Sequence, residues 1–170
     1  MPSPWSRPLE IDRLADGEAD IDFAVPLAEL AGLRSVRPGL GGLVSGRVHF
    51  ARERGVAVAQ MTMTGTAILE CQRCMRPLEF AIDTQVRVGL VGSEAQAGGV
   101  PAELEPMLAP GGRIGIDELV TEELLLSLPS VPLHGEGDEC LPEPAPPGAA
   151  GEPEGETHTP FARLGELLKR

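Results

Sequence analysis

The sequence predicts an α+β fold: an antiparallel β-meander or partly closed barrel with one strong helix late in the chain, then an acidic disordered linker and a short C-terminal helix. Three observations lead there. Phe80, Ile82, Val86, Val88 and Leu90 are apolar at even positions, with Glu79, Asp83, Gln85 and Arg87 between them, which is the period of a half-buried strand. The one long amphipathic helical pattern comes only after the strand-like runs, unlike the alternation of a parallel α/β fold. Gly and Pro, 21 and 17 of 170 residues, crowd into residues 135–160, where seven acids stand without a Lys or Arg. Such a segment cannot bury enough apolar surface to offset its chain entropy.

These shifts divide the chain into a core domain at 1–140, with 1–20 loosely ordered, a linker at 141–158 and a helical motif at 159–170. In chain order, Pro26 to Leu33 reads as a first helix, with Pro in its first turn and Leu27, Leu30 and Leu33 along one side. Val44, Gly46, Val48 and Phe50 make a short strand of even parity. Arg52 to Gly55 supplies a turn, Gly55 being free to take positive φ. From Val56 to Glu70 the apolar parity slips, from Val56 and Val58 to Met61, Met63, Ala67 and Leu69, as a β-bulge near Ala59 and Gln60 would require. Cys71 to Pro77 is the second turn and the alternating run after it the third strand. Gly92 to Gly112 reads as loop. Asp117 is placed to cap a helix over 118–128 with an acidic first turn and an apolar stripe, stopped by Pro129.

The chain ends on a third helical pattern: Thr159 as cap, Pro160 at the first position, and Phe161, Leu164, Leu167 and Leu168 on one face. So short a helix is marginal alone and must dock. The two docking places are the chain's own core and a partner protein reached across the flexible linker, and Phe161, Leu164 and Leu168 are expected to serve the partner.

The most informative stretch is Cys71-Gln-Arg-Cys74, where two sulfurs stand at the spacing that grips one metal ion or closes a redox ring, with Arg73 and Arg76 beside them. One further cysteine, Cys140, makes three, a poor disulfide framework. Three readings stay open. Cys71, Cys74 and Cys140 with His134 form a Cys3His set suited to Zn2+, although Met75 stands where a zinc knuckle usually has Gly. A redox pair would want its first cysteine at a helix N-terminus, whereas a strand precedes Cys71. Reduced thiols packed at a tight turn are the third.

Net charge is −12, and the linker region carries much of it. Between Arg34 and Arg87 the sign reverses, with eight arginines against Glu53, Glu70, Glu79 and Asp83. Arginine forks pair with phosphate, so Arg47, Arg52, Arg54, Arg73, Arg76 and Arg87 are candidates for contact with RNA backbone; the alternative is a solvated sheet face. There is no Tyr, and the aromatics are Trp5, Phe23, Phe50, Phe80 and Phe161, too few to stack bases across a sheet. RNA contact would therefore read phosphates and shape. No catalytic constellation emerges: His49, His134 and His158 are scattered, and neither a Gly-x-Ser-x-Gly elbow nor a phosphate-cradling loop is present. The acids at Asp117, Glu118, Glu122 and Glu123 read as capping and solvation. The start has no secretory apolar region and no apolar run reaches membrane-spanning length, so a cytoplasmic protein is expected.

A strand ending in Cys71-x-Arg73-Cys74, an alternating strand, an Ile116-Asp-Glu-Leu helix running into Leu128-Pro129, then His134, Cys140 and a terminal Pro160-Phe-Ala-x-Leu164 together resemble the YceD family of large ribosomal RNA subunit accumulation proteins. The resemblance implies a non-enzymatic factor for synthesis, processing or stability of large-subunit rRNA, with that RNA or its precursor particle as partner, and transfers no catalytic residue. The competing expectation is an adaptor that binds a basic ribosomal or assembly protein and affects RNA indirectly; a thiol- or zinc-dependent enzyme is a third class.

Overall fold

The computed structural model describes residues 4–37, 39–135 and 140. The linker expected at 141–158 and the terminal helix with Phe161, Leu164 and Leu168 lie outside the described residues. In chain order come β1 (Leu9–Glu10), α1 (Ile11–Asp16), β2 (Asp20–Pro26), α2 (Ala31–Val36), β3 (Gly41–Glu53), β4 (Val56–Glu70) and β5 (Pro77–Val91). Then follow α3 (Glu94–Ala97), β6 (Glu105–Leu108), β7 (Arg113–Ile114) and α4 (Ile116–Ser127).

The fold is mixed α+β, as the patterning predicts. Its sheet runs β2-β3-β4-β5-β6 and is open rather than a closed barrel. β2 to β5 pair antiparallel, but β6 joins β5 in parallel, a strand too short to leave a pattern in the sequence. β1 and β7 form a separate small ladder, Leu9 opposite Ile114. Between β3 and β4, Arg54 and Gly55 both take positive φ, 48° and 86°, which turns the chain in two residues with the twist the strands need.

Alternation holds along β5: Ile82 and Leu90 are buried, while Glu79, Asp83, Gln85 and Arg87 point outward. The expected bulge in β4 does not form. Register runs unbroken from Val58 opposite Ala51 to Met61 opposite Val48, and the odd positions Ala57, Ala59, Met61 and Met63 all face the core. Val58 is apolar for another reason. It pairs with Gly89, which lies against Val100, so the segment after β5 covers this end of the outer face.

The inner face packs beneath α1, α2 and α4, where Phe50, Met61, Met63, Leu27, Leu33 and Leu124 are fully buried. Each such side chain contributes about 1.5–3 kcal/mol on leaving water. The helix expected over Pro26 to Leu33 is divided: Pro26 ends β2, Leu27–Glu29 makes a 3-10 turn, and α2 starts at Ala31. α4 begins ahead of the Asp117 cap position, with Gly115 as its cap residue. The Gly115 N–H donates to the Glu118 carboxylate at 3.1 Å, which satisfies one of the unpaired amides at the helix start.

Candidate metal centre

The turn between β4 and β5 is a knuckle. The Cys71 N–H donates to the Arg76 carbonyl at 2.9 Å, and the Met75 N–H to the Cys71 carbonyl at 2.8 Å. Met75 takes the left-handed conformation, φ 58°, for which the sequence pattern of a zinc knuckle usually supplies Gly. Its side chain is 61% exposed and meets no crowding, so the strain of a non-Gly residue there, about 1 kcal/mol, is tolerated.

Pro129 ends α4, and the segment beyond it returns to this turn. The Gln72 N–H donates to the Pro132 carbonyl at 2.9 Å, which lays Val131 to Gly135 alongside the knuckle. His134 Nε2 sits 3.1 Å from the Pro77 carbonyl. A carbonyl only accepts, so Nε2 carries the proton and Nδ1 of the neutral ring is left with a lone pair. That Nδ1 lies 3.4 Å from Cys74 Sγ, and Cys71 Sγ lies 3.5 Å from Cys140 Sγ. All four donor atoms fall within 4.8 Å of one another.

The cysteines are buried, and with Leu78 they make a small core separate from the main one. They are free thiols; a disulfide would bring two sulfurs to about 2.05 Å. Burial pushes the Cys71 thiol up, but the N–H groups of Arg73, Cys74 and His134 more than offset it and bring it down to about 5. Cys74 is lowered as well, against its burial, by the Arg76 N–H and guanidinium. Contact with Cys71 raises His134. Burial and the two neighbouring sulfurs push Cys140 up to about 11. The pocket thus favours thiolate at the knuckle, and a bound cation is what would allow all three sulfurs to carry charge together. The four side chains could hold one metal ion and would leave a four-coordinate ion no open position, the arrangement of a structural rather than a catalytic centre.

Four of the six arginines expected to contact phosphate are paired with carboxylates of the protein itself. Arg47 makes a two-pronged pair with Asp22 at 2.6 and 3.2 Å, and Arg52 reaches Asp16 and Asp12 at 2.6 and 2.7 Å. Arg87 pairs with Glu53 at 2.6 Å and Arg54 with Glu103 at 3.0 Å. Arg73 and Arg76 belong to the knuckle instead, and Arg73 has no ion pair among the described residues. Counting charges between Arg34 and Arg87 missed the acids that matter, since Asp12, Asp16, Asp22 and Glu103 lie outside that window. The carbonyls of Pro77 and Pro132, which orient His134 and the knuckle, left no signal in the sequence.

An open five-stranded sheet packed under helices, with a Cys3His cluster at its β4–β5 turn, defines a small α+β protein carrying a candidate structural metal centre. The chain belongs to the YceD family: the family described as "Large ribosomal RNA subunit accumulation protein YceD" matches residues 59–168, which take in all four members of the cluster. A relative of that name from Haemophilus influenzae is 32% identical over 104 residues, 60% of this chain and 60% of its own. The match therefore spans about three-fifths of the curated relative. No solved structure matches the chain. No helix among the described residues is long and apolar enough to cross a membrane.

Proposed function

We propose that this protein is a non-enzymatic cytoplasmic factor supporting accumulation of large-subunit rRNA, with a Zn2+-stiffened knuckle as the end that meets RNA or its precursor particle. The observation that carries the reading is the knuckle itself: Arg73, Met75 and Arg76 are exposed on the turn that brings Cys71 and Cys74, both buried, to the Cys3His cluster. In a tetrahedral zinc site with Zn–S near 2.3 Å, ligand atoms stand about 3.5–3.8 Å apart. The 3.4 and 3.5 Å separations between Cys74 and His134 and between Cys71 and Cys140 come close to those edges. The Nε2–H to carbonyl contact of His134 is the outer-shell bond that metal-binding histidines commonly make. Zn2+ would supply folding free energy to the knuckle, and no chemistry on a substrate is assigned to it.

The Arg73 guanidinium, with the fixed backbone of the turn behind it, suits phosphate oxygens, whereas Arg47, Arg52, Arg54 and Arg87 already have carboxylate partners on the protein. Phe161, Leu164 and Leu168 are proposed as a partner-docking motif on the tail. The test is binding of the full chain to large-subunit rRNA across a salt series. Replacing Arg73 and Arg76 together by Ala should reduce the slope of log K against log salt by roughly 0.7–0.9 for each phosphate the protein no longer neutralises. The Arg47→Ala, Arg87→Ala protein should retain the slope, and circular dichroism should show both folded. No binding at low salt, or equal losses from the two pairs, would remove the knuckle from the RNA interface.

A further inference from the structure

A slot of about 120 Å3 opens between α4 and the β5–β6 edge of the sheet. Its floor is Met61, Val86 and Val88, and its walls are Met107 from β6 with Leu119 and Leu126 from α4. The volume is below the roughly 300–1,000 Å3 of drug-sized ligand sites and suits an anchoring side chain instead. Leu126 is 76% exposed, although Leu119 and Leu124 on the same helix are buried. Around this apolar slot the charged residues are all acidic: Glu105, Glu122 and Glu123. The Thr84 hydroxyl donates to Glu123 at 3.0 Å and steadies it over the slot. Glu105 and Glu122 have no ion pair among the described residues, so their carboxylates are open to a cation from outside.

We propose that this slot docks a basic amphipathic helix of another protein, a leucine or phenylalanine seated over Met61 and lysines or arginines paired with Glu105, Glu122 and Glu123. The charge selects the occupant. Phosphate backbone and anionic lipid would be repelled by the three carboxylates, and a second copy of the chain would set two acidic rims against each other. An apolar stripe flanked by cations satisfies both the floor and the rim, and Met61 below and Met107 at the side let the slot adapt to the anchor. The inference is independent of the metal and of the RNA reading, since none of these residues belongs to the knuckle.

The test is fluorescence anisotropy of the full chain with a labelled Leu/Lys amphipathic peptide and, because any cationic peptide is drawn to an acidic protein, a scrambled peptide of the same composition. The amphipathic peptide should bind with an affinity that falls with salt, and the scrambled one should not. Leu126→Asp, on the surface and harmless to folding, should weaken binding about tenfold or more. The Glu105→Lys, Glu122→Lys protein should lose the Leu/Lys peptide and gain a Leu/Glu counterpart. Equal binding of the scrambled peptide, or unchanged affinity in both variants, overturns the proposal. So does a self-association that Leu126→Asp abolishes, which gives the slot to a second copy. Binding that appears only after Phe161 and Leu164 are replaced by Ser gives it to the chain's own terminus.

Discussion

Removing metal should open the knuckle without melting the sheet, because the two cores are separate. Cys71, Cys74, Cys140 and Leu78 form one cluster, and the sheet and its helices form the other. Without an ion, the knuckle end keeps the Gln72 to Pro132 and His134 to Pro77 hydrogen bonds and a small apolar contact. At about 0.5–1.5 kcal/mol each, those bonds hold local opening to roughly 1–3 kcal/mol, a protection of the Gln72 amide of about ten- to a hundredfold. Free metal at a thousand times its dissociation constant adds about 4.1 kcal/mol by mass action, roughly a further thousandfold. Protein purified without chelator should carry close to one metal per chain. Hydrogen exchange followed by mass spectrometry or NMR, with and without chelator, should then show Gln72 and Met75 accelerating by two to three decades, about 3–4 kcal/mol. Amides of Val48 and Met61 should change little. Metal-free protein whose Gln72 exchanges identically with chelator would falsify the metal reading. Loss of sheet and knuckle protection together would show instead that the two cores unfold as one.

Three further outcomes test the fold, the chemistry of the cluster and the tail. Gly65→Ala should lower Tm by several degrees, since a Cβ there would meet the Leu43 carbonyl and lie 2.8 Å from Val44 Cα, both backbone in paired strands that cannot move aside cheaply; Gly98→Ala, with nothing within 4 Å, should leave Tm unchanged, and equal effects would refute the packing argument. Metal loading at neutral pH should release about one proton or more, because Cys140, pushed up to about 11, holds its proton there and must lose it to bind, whereas Cys71, at about 5, has already lost its own. Affinity should therefore rise with pH, and calorimetry in buffers of different ionisation enthalpy that finds no release would contradict the assignment of Cys140. Deleting residues 159–170 should leave Tm almost unchanged while abolishing co-purification of the main protein partner; a destabilised chain that still holds its partner would refute the docking role of Phe161, Leu164 and Leu168.

What the sequence made legible, and what it hid, follows from the range of each cause. Phe80 to Leu90 read correctly because one face of β5 is wet along nearly its whole length, so local alternation reports burial. Val56 and Val58 misled because their cover is Val100, remote in sequence, and a nonlocal contact imitates a change of parity. β1, β6 and β7 are two to four residues long and carry no period to read. At the cluster, the spacing of Cys71 and Cys74 was plain, but the approach of His134 depends on α4 stopping at Pro129 and on one backbone bond from Gln72 to Pro132. Leu126 shows the same limit in a helix. It fits the apolar stripe of α4, yet it stands exposed on the wall of a slot whose floor is Met61, Val86 and Val88. The chain consequently carries two unlike ends on one rigid strand: arginines at the Cys71 knuckle, and carboxylates around apolar side chains beside Met61. Along β4, Met61 and Cys71 are roughly 30 Å apart at about 3.3 Å per residue, more than three Debye lengths at physiological salt. A phosphate backbone at one end and a basic helix at the other could then be held at once, with neither site screening nor displacing the other.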